Sequence, residues 1–351
     1  MRILVFGAGG IGSLFGGIVS KGHDVTLLGR KNHMEQIRKN GLRITGKTKG
    51  IFYPKTETKI SGKYDLIILT VKAYDTKKSM EILKPIIDSN TIILLLQNGL
   101  GNEEIIAKSL KNKVFSIRYD GIPTGIPSIS GKTEGFSRRY DGKVQNTFPS
   151  ILGKSDRFSR GNIGVLRGIT NHGVIFVKSG EICHAGTGET VIGEIDGRIT
   201  GGIKKICSMF NDAGIKTRIS SNIKKDVWAK TIVNSAINPI TAITCLKNGY
   251  LLKIPVLKRL MRQICLEGVK VANREGIFFD FDVFEETKKI AKLTSENRSS
   301  MLQDIESGKK TEIDFINGAI AKIGKRHRVK TPLNSMLTVL VKGMEKRLSA
   351  G

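Results

Sequence analysis

The first twelve residues, MRILVFGAGGIG, constrain the fold of this 351-residue chain more than any other stretch. An apolar, strand-forming run is followed at once by glycines in the spacing GxGxxG, at the start of a helical pattern. In that setting the first glycine allows a tight turn, the second lets the backbone approach a pyrophosphate, and the third lets the helix pack on the strand. The residues predicted to bind a dinucleotide are Gly7, Ala8, Gly9, Gly10, Ile11 and Gly12.

Short runs rich in Ile, Leu and Val alternate with helical patterns through the first third of the chain, as in DVTLLG, YDLIILTVKA and NTIILLLQNG. Such runs are typical of strands buried on both faces of a parallel sheet. From residue 221 onward the pattern is helical. The predicted fold class is therefore α/β, with an N-terminal Rossmann-type doubly wound sheet domain (1–219) followed by an all-helical C-terminal domain (220–351).

Residues 114–164 interrupt this order with eight Gly, seven Ser and three Pro and no sustained period. We interpret them as a mobile insertion or a loosely structured surface loop. A helix-to-strand connection leaves a parallel sheet at the edge opposite the ligand crevice, so the insertion should leave the cofactor site intact. Its purpose stays open, because a segment of this length could also reach a subunit contact.

The net charge of +27 is spread along the chain, and aromatic residues are only 6% of it. A nucleic-acid site would more often be clustered and interleaved with aromatics, so no nucleic-acid partner is expected. No apolar run approaches the ~20 residues of a membrane span, and the chain starts with a strand rather than a leader, so we expect no membrane association and a cytoplasmic protein. Four dispersed cysteines indicate no metal site.

The end of the second predicted strand, LLGRKN, bears on cofactor choice. An NAD-preferring site would carry Asp or Glu there, whereas this chain has Arg30 and Lys31. A guanidinium suits a ribose 2′-phosphate, so the pattern favours NADP(H). Asp24 begins the same strand and should lie at the wrong edge of the sheet to act as the acid.

Two further predicted strands end in polar residues, Lys72 in TVKAYD and Asn98 in LLQNGLG. Loops at the carboxyl ends of strands face the ligand in an open α/β sheet. Gly99 and Gly101 would let the backbone approach a ligand there. The alternative is an ordinary solvated lysine and a turn asparagine.

In the helical half, KDVWAKTIVNSAINPIT places Lys230, Asn234 and Asn238 at four-residue steps among apolar residues. This spacing turns successive side chains by about 40°, so one cleft could hold all three. Ser220 and Ser221 are candidate helix caps, and Pro239 should distort or end the helix near Asn238.

A second polar group lies in SENRSSMLQDIESGKKTEIDFINGAI, where Asn297, Ser300 and Glu312 occur among helical apolar residues. An alternative reading treats Thr311 and Asp314 as a capping box, which would leave Glu312 exposed.

These motifs together resemble the ketopantoate reductase (2-dehydropantoate 2-reductase) family. The resemblance rests on FGAGGIG, VKAYD, QNGLGNEE, VLRGITNHG, HAGTGETVIGE, WAKTIVNSAINPITA, SSMLQDI and KKTEIDFINGAI, and extends to about Val341 apart from the insertion. It implies NADPH-dependent reduction of 2-dehydropantoate, a small 2-oxo acid, to (R)-pantoate on the route to pantothenate and coenzyme A. It allows a monomer or a homodimer.

The resemblance also implies residue roles. Lys230 would be the proton donor, and Glu312 would lie near both the lysine and the cofactor as a second catalytic group. Substrate contacts would come from Asn98, Asn234, Asn238, Asn248, Asn297 and Ser300, and the nucleotide side would be lined by Arg30, Lys72, Asn98 and Gly173.

The proposed chemistry suits these residue types. A hydride that reaches the C2 carbonyl carbon leaves negative charge on oxygen, which an ammonium can stabilise and protonate. Burial would lower the pKa of Lys230 and Glu312 would raise it. Two alternatives remain open: a related reductase of another branched 2-oxo acid, and a nucleotide-binding regulator without catalytic activity.

Overall fold

The computed structural model describes residues 1–110 and 163–350. The predicted insertion at 114–164 therefore lies outside the described residues, apart from its last two positions.

Strands and helices alternate as far as residue 110. The elements are β1 (Arg2–Phe6), α1 (Gly10–Val19), β2 (Asp24–Leu28), α2 (Lys31–Asn40), β3 (Leu42–Gly46), β4 (Gly50–Phe52), β5 (Lys55–Glu57), β6 (Leu66–Leu69), α3 (Thr76–Leu83), β7 (Ile92–Leu95) and α4 (Asn102–Leu110).

Four strands and a helix follow before the last strand, and the rest is helical. These elements are β8 (Gly164–Thr170), β9 (Gly173–Lys178), β10 (Glu181–Gly186), β11 (Thr190–Glu194), α5 (Gly201–Asp212), β12 (Thr217–Ile219), α6 (Ile223–Thr244), α7 (Tyr250–Lys253), α8 (Pro255–Arg274), α9 (Val283–Leu293), α10 (Ser300–Glu306), α11 (Asn317–Arg326) and α12 (Pro332–Ala350).

The central sheet has the order β12-β11-β8-β7-β6-β1-β2-β5, and only the β8–β11 pair is antiparallel. From β1 the chain first moves to β2 on one side and later to β6 on the other. That reversal opens a crevice at the carboxyl ends of β1 and β6. A smaller sheet, β4-β3-β10-β9, packs against α1. The predicted α/β class, with its doubly wound sheet and helical C-terminal part, is confirmed.

Strand β1 shows why its sequence is apolar from Ile3 to Phe6. Ile3 and Val5 join the core on one face of the sheet, whereas Leu4 and Phe6 join a separate core on the other. Successive strand residues point to opposite faces, so only a strand covered on both sides needs an unbroken apolar run.

Helix α6 is the centre of the helical part and contacts α8, α9, α10 and α12. Its N-cap is Asn222, whose side chain accepts a hydrogen bond from the backbone N–H of Lys225 at 3.2 Å. The prediction of Ser220 or Ser221 as the cap was wrong. Ser220 instead uses its hydroxyl to accept from the N–H of Asn222 (3.0 Å) and to bind Asp226.

Of the two effects predicted for Pro239, the end of α6 near Asn238 is wrong, because the helix continues to Thr244. Proline cannot donate the hydrogen bond that would satisfy the carbonyl four residues earlier. Here the Asn317 side-chain N–H donates to that carbonyl, Ser235 O, at 3.0 Å. A tertiary contact thus replaces the missing helix bond. No helix among the described residues is long and apolar enough to cross a membrane.

Candidate active site

The glycine loop has the geometry that its spacing predicts. Gly7 adopts a φ of +109°, and a Cβ placed there would lie 2.6 Å from the Val71 backbone nitrogen. A Cβ on Gly12 would lie 2.3 Å from Gly7 O, whereas one on Gly9 would have no neighbour closer than 4.0 Å. The outer two glycines are therefore needed for the close packing of loop, helix and strand, and the middle one leaves a cradle open for a ligand.

The other loop residues differ in what they offer a ligand. Ala8 is buried and donates its N–H to Leu28 O at 2.9 Å, which ties the loop to the end of β2. Ile11 is half-buried against the apolar core. A Cβ on Gly10 would lie 3.2 Å from a methyl of Val174, so β9, which begins at Gly173, runs past the start of α1.

Arg30 lies two residues after the end of β2 and is exposed. A Cβ on the preceding Gly29 would lie 3.0 Å from the Ala8 Cβ, so this strand end adjoins the glycine loop. Asp24 begins the strand at its opposite end, where it pairs with Lys55 at 2.7 Å. The described geometry therefore puts a cation, and not the acid, beside the cradle.

Lys72 lies beyond the end of β6, between two carboxylates of the helical part. Its Nζ is 2.6 Å from Asp304 Oδ2 and 3.7 Å from Glu312 Oε2. Burial alone would lower the pKa of Lys72, but the charges of Glu312 and Asp304 raise it above its ordinary value. Lys72 is therefore held as a cation at the boundary between sheet and helices.

Glu312 is 5% exposed, so the capping-box reading that would leave it in solvent was wrong. Its Oε1 accepts from the backbone N–H of Ala73 at 3.0 Å, and its Oε2 accepts from the Asn98 side chain at 3.2 Å. The Thr311 hydroxyl does accept from the N–H of Ile313 at 3.2 Å. The loops after β6 and β7 thus both donate hydrogen bonds to the same buried carboxylate.

The loop after β7 is also held from the helical side. The N–H of Leu100 donates to Phe315 O at 2.9 Å, and a Cβ on Gly99 would lie 2.3 Å from the same oxygen. The expectation that Gly99 leaves room for a ligand was wrong, because the backbone of Phe315 fills that space. Half-buried Asn98 remains beside it, hydrogen-bonded to Glu312.

Lys230 lies half-buried on α6 and donates a hydrogen bond to Thr170 O at the end of β8. Burial and the positive charge of Arg167 lower the pKa of Lys230, Glu312 raises it, and the result is about 8. The opposing effects of burial and Glu312 have the signs expected from the sequence. An amine with this pKa can hold a proton at neutral pH and release it readily.

The two asparagines that follow Lys230 on α6 have free carboxamides. Asn234 is half-buried and Asn238 is 5% exposed. Neither side chain makes a hydrogen bond to any residue within 1–110 or 163–350. A nearly buried carboxamide with open donors and acceptors is suited to bind the polar groups of a ligand.

The remaining predicted substrate residues form a second group near the end of α6. The backbone N–H of Asn248 donates to Asn297 O at 3.0 Å, and its side chain donates to Thr294 at 2.9 Å. Asn297 and Ser300 are exposed. Ser300 begins α10, whose N-cap Ser299 accepts from the Thr241 hydroxyl of α6 at 2.7 Å.

Sequence reasoning missed several groups close to this crevice. Asp304 pairs with Lys72, although it reads as one acid on an amphipathic helix. His172 Nδ1 is 2.9 Å from His184 Nε2, and burial, His184 and Lys230 lower the pKa of His172 to about 4. The third missed residue is Arg167, in the stretch VLRGIT of β8. Only Arg167 lies within an apolar run, whereas His172 and Asp304 each follow a polar residue and carry no such signal.

No three His, Cys, Asp or Glu side chains within the described parts of the chain are grouped to hold a metal ion. The positions that would hold a dinucleotide, by contrast, fit one: the Gly7–Gly12 cradle, the cation at Arg30, and the sheet edge at Lys72 and Asn98. This arrangement is that of Rossmann-type oxidoreductases, in which a second domain brings side chains to the cofactor crevice.

The chain belongs to the ketopantoate reductase family. The family model described as "Ketopantoate reductase PanE/ApbA" matches residues 3–120, and its companion for the C-terminal part matches 222–345. A "2-dehydropantoate 2-reductase" of Pyrococcus horikoshii is 38% identical over 98% of both chains, and one of Archaeoglobus fulgidus is 34% identical over 99% of both.

Among solved structures, a ternary complex of D-mandelate dehydrogenase with NADH and anilino(oxo)acetate superimposes with a TM-score of 0.81. It is 25% identical to this chain, and the match covers 99% of this chain and 100% of that one.

Proposed function

We propose that this protein reduces 2-dehydropantoate to (R)-pantoate with NADPH, as a cytoplasmic enzyme of pantothenate and coenzyme A biosynthesis. Residues 1–219 bind the cofactor, and residues 220–351 supply most of the groups that meet the substrate. The proposal rests on Lys230, whose ammonium is bonded to Thr170 O at the end of β8, and on Asn234 and Asn238, which follow it at four-residue steps on α6.

When bound, NADPH supplies the hydride that reduces the C2 carbonyl. The glycine loop holds its pyrophosphate with backbone N–H groups at the start of α1. Arg30 pairs with the 2′-phosphate of the adenosine ribose, which is the basis for preferring NADPH to NADH. Gly173, Lys72 and Asn98 line the nucleotide side of the crevice.

Lys230 is the proton donor of this reaction. Its Nζ binds the substrate C2 oxygen, stabilises the negative charge that develops there, and transfers one proton to it. The pKa of about 8 keeps the amine protonated at neutral pH and makes proton release less costly than from an ordinary lysine.

Glu312 joins the two halves of the site. It orients Asn98 through one oxygen and fixes the loop after β6 through the other, and its charge keeps Lys230 protonated. Asn234, Asn238, Asn248, Asn297 and Ser300 bind the carboxylate and hydroxyl of the substrate without adding charge to the crevice.

A related reductase of another 2-oxo acid is the second candidate. The likeness to a D-mandelate dehydrogenase complex that contains NADH and an oxoacetate favours it, since the same fold there holds a different 2-oxo acid and the other nicotinamide cofactor.

The loss of NADPH absorbance in the presence of 2-dehydropantoate, set against a panel of branched and aromatic 2-oxo acids, distinguishes the two. We expect kcat/KM to be highest for 2-dehydropantoate and higher with NADPH than with NADH. A higher kcat/KM for another 2-oxo acid would select the second candidate. No oxidation of either cofactor with any acid, despite NADPH binding, would contradict both and favour a nucleotide-binding regulator.

A further inference from the structure

Arg167 is a buried cation in the middle of the central sheet. It lies on β8, between β7 and β11, and its side chain is 2% exposed. A guanidinium stays charged at every pH at which a protein is folded, so its burial requires partners. Its partners are three backbone oxygens and one carboxylate.

The guanidinium donates mainly to backbone oxygens of the Asn98 loop. Its Nη1 donates to Leu95 O and Gly168 O at 3.2 Å each, and its Nη2 donates to Gly99 O at 2.9 Å. Leu95 ends β7 and Gly99 follows Asn98 directly. The two terminal nitrogens of the guanidinium are thus hydrogen-bonded to the backbone on both sides of Asn98. Asn98 is in turn hydrogen-bonded to Glu312.

The carboxylate nearest to Arg167 neutralises its charge only loosely. Glu103 Oε2 is 3.7 Å from Nε, and neither of these buried atoms has a hydrogen-bond partner among the residues described. A pair selected for stability alone would form the closer, bidentate geometry that Arg and carboxylate prefer. Here the Nη1 and Nη2 donors bind backbone oxygens, and the positive charge is only partly neutralised by Glu103.

Lys230 is linked to the same strand as Arg167. It is bonded to Thr170 O, three residues further along β8, and α6 packs on this strand. After burial, the charge of Arg167 is the largest influence that lowers the pKa of Lys230. A cation fixed behind an ammonium weakens its hold on a proton and adds to the positive field on a developing oxyanion.

We propose that Arg167 is a positioning residue of the reductase site, which fixes the loop that carries Asn98 and adds a permanent positive charge on the strand to which Lys230 is bonded. Its kinetic consequences rest on the proposed function. The two parts are separable, because Lys at this position would keep a charge and lose the fork of donors, whereas Met would lose both.

The decisive variant is Arg167→Met combined with Glu103→Gln, since removal of the arginine alone would leave a buried, unpaired carboxylate and could unfold the protein. The single variant Glu103→Gln is the reference with which the double variant is compared. Arg218→Met is the matched control, because Arg218 lies on β12 of the same sheet but is 48% exposed and pairs with Glu189 and Asp226.

In the double variant we expect the alkaline limb of the kcat profile to move upward by about one pH unit relative to Glu103→Gln, because Lys230 keeps its proton longer. Arg167→Lys should leave that limb in place. The double variant and Arg167→Lys should each raise KM for 2-dehydropantoate by about tenfold, because the loop that carries Asn98 loses its hydrogen bonds to the guanidinium. A folded double variant whose limb does not move, or a shift of equal size in Arg218→Met, would overturn the proposal.

A second measurement does not require turnover. The rate at which acetic anhydride labels Lys230, followed by peptide mass spectrometry as a function of pH, reports the pKa of this amine in the free protein. We expect it to rise in the double variant and not in Arg218→Met. If the wild type fails to reduce any 2-oxo acid, the proposed function fails while this titration still tests Arg167. If reduction is observed and neither the titration nor the limb moves, only the proposal for Arg167 fails.

Discussion

The glycine loop and the polar face of α6 serve the same crevice but are built from different parts of the chain. The loop offers backbone N–H groups and the absence of Cβ atoms, as at Gly9, and it carries no charged side chain. On α6 the backbone groups are used within the helix, so only side chains such as Lys230 and Asn238 remain to meet a ligand.

The two regions should therefore respond differently to mutation. A change in the loop alters the space that a cofactor occupies, so its effect should be on cofactor affinity and on packing. A change on α6 leaves that space intact and alters the charge and proton that meet the substrate. Of these two regions, α6 is therefore the one in which mutations should affect turnover and pH dependence.

Lys230→Ala should have the largest effect. We expect kcat to fall by about 100-fold or more because the proton donor is lost, while NADPH affinity stays nearly unchanged. Steady-state kinetics and NADPH fluorescence titration measure the two quantities. Lys225→Ala is the control, since Lys225 lies on the same helix but pairs with Asp280 at 2.8 Å. Unchanged turnover in Lys230→Ala would rule out this lysine as the acid.

Gly12→Ala should give the reverse pattern. The new Cβ would meet Gly7 O at 2.3 Å, so we expect the Kd for NADPH to rise more than about tenfold and stability to fall by about 1–3 kcal/mol. Calorimetric titration and thermal unfolding are the measurements. Gly22→Ala, where a Cβ would meet nothing within 4 Å, should change neither. Tight cofactor binding by Gly12→Ala would show that the cradle is placed elsewhere.

Arg30→Ala tests the one side chain that is proposed to recognise the cofactor on the loop side. The ratio of kcat/KM for NADPH to that for NADH should fall by about tenfold, because one charge-assisted contact to the 2′-phosphate is lost. Lys31→Ala should have a smaller effect, since Lys31 is turned toward Glu35 at 3.9 Å. An equal loss in both variants would assign recognition to general positive charge and not to Arg30.

Glu312→Gln should have the smallest of these effects. We expect it in the pH dependence of kcat. Removal of the anion lowers the pKa of Lys230, so the alkaline limb of kcat, near pH 8 in the wild type, should move downward by about one unit. Asp314→Asn is the control, because Asp314 is an exposed acid that pairs with Lys342. An upward shift in Glu312→Gln would contradict the electrostatic role assigned to the carboxylate.

The fold could be predicted further from sequence than the site could. The Ile, Leu and Val runs identify buried strands because every position in them must be apolar when both faces of the sheet are covered. The glycine spacing similarly reports a local geometry that Gly7 and Gly12 then show. In both cases the pattern that predicts the structure lies within a few consecutive residues.

The misjudged residues depend on partners far along the chain. Whether Glu312 is buried is decided by Ala73 and Asn98, more than 200 residues earlier, and no local pattern distinguishes this outcome from a capping box. Arg167 lies in a strand that reads as ordinary, because the carbonyls that bind it belong to another loop. Sequence can propose such residues as ligand contacts but cannot show what else they hold.

The hydrogen bond to the carbonyl of Ser235 has a consequence for the order in which the chain folds. This bond from Asn317 joins residues 82 apart and completes α6 where Pro239 cannot. The end of α6 beyond that point therefore depends on a contact of long sequence separation, whereas an ordinary helix closes its bonds within four residues. Because Asn238 lies at this junction, the substrate face should reach its final form only after α11 has docked, late in folding, an order that pulsed hydrogen exchange can follow.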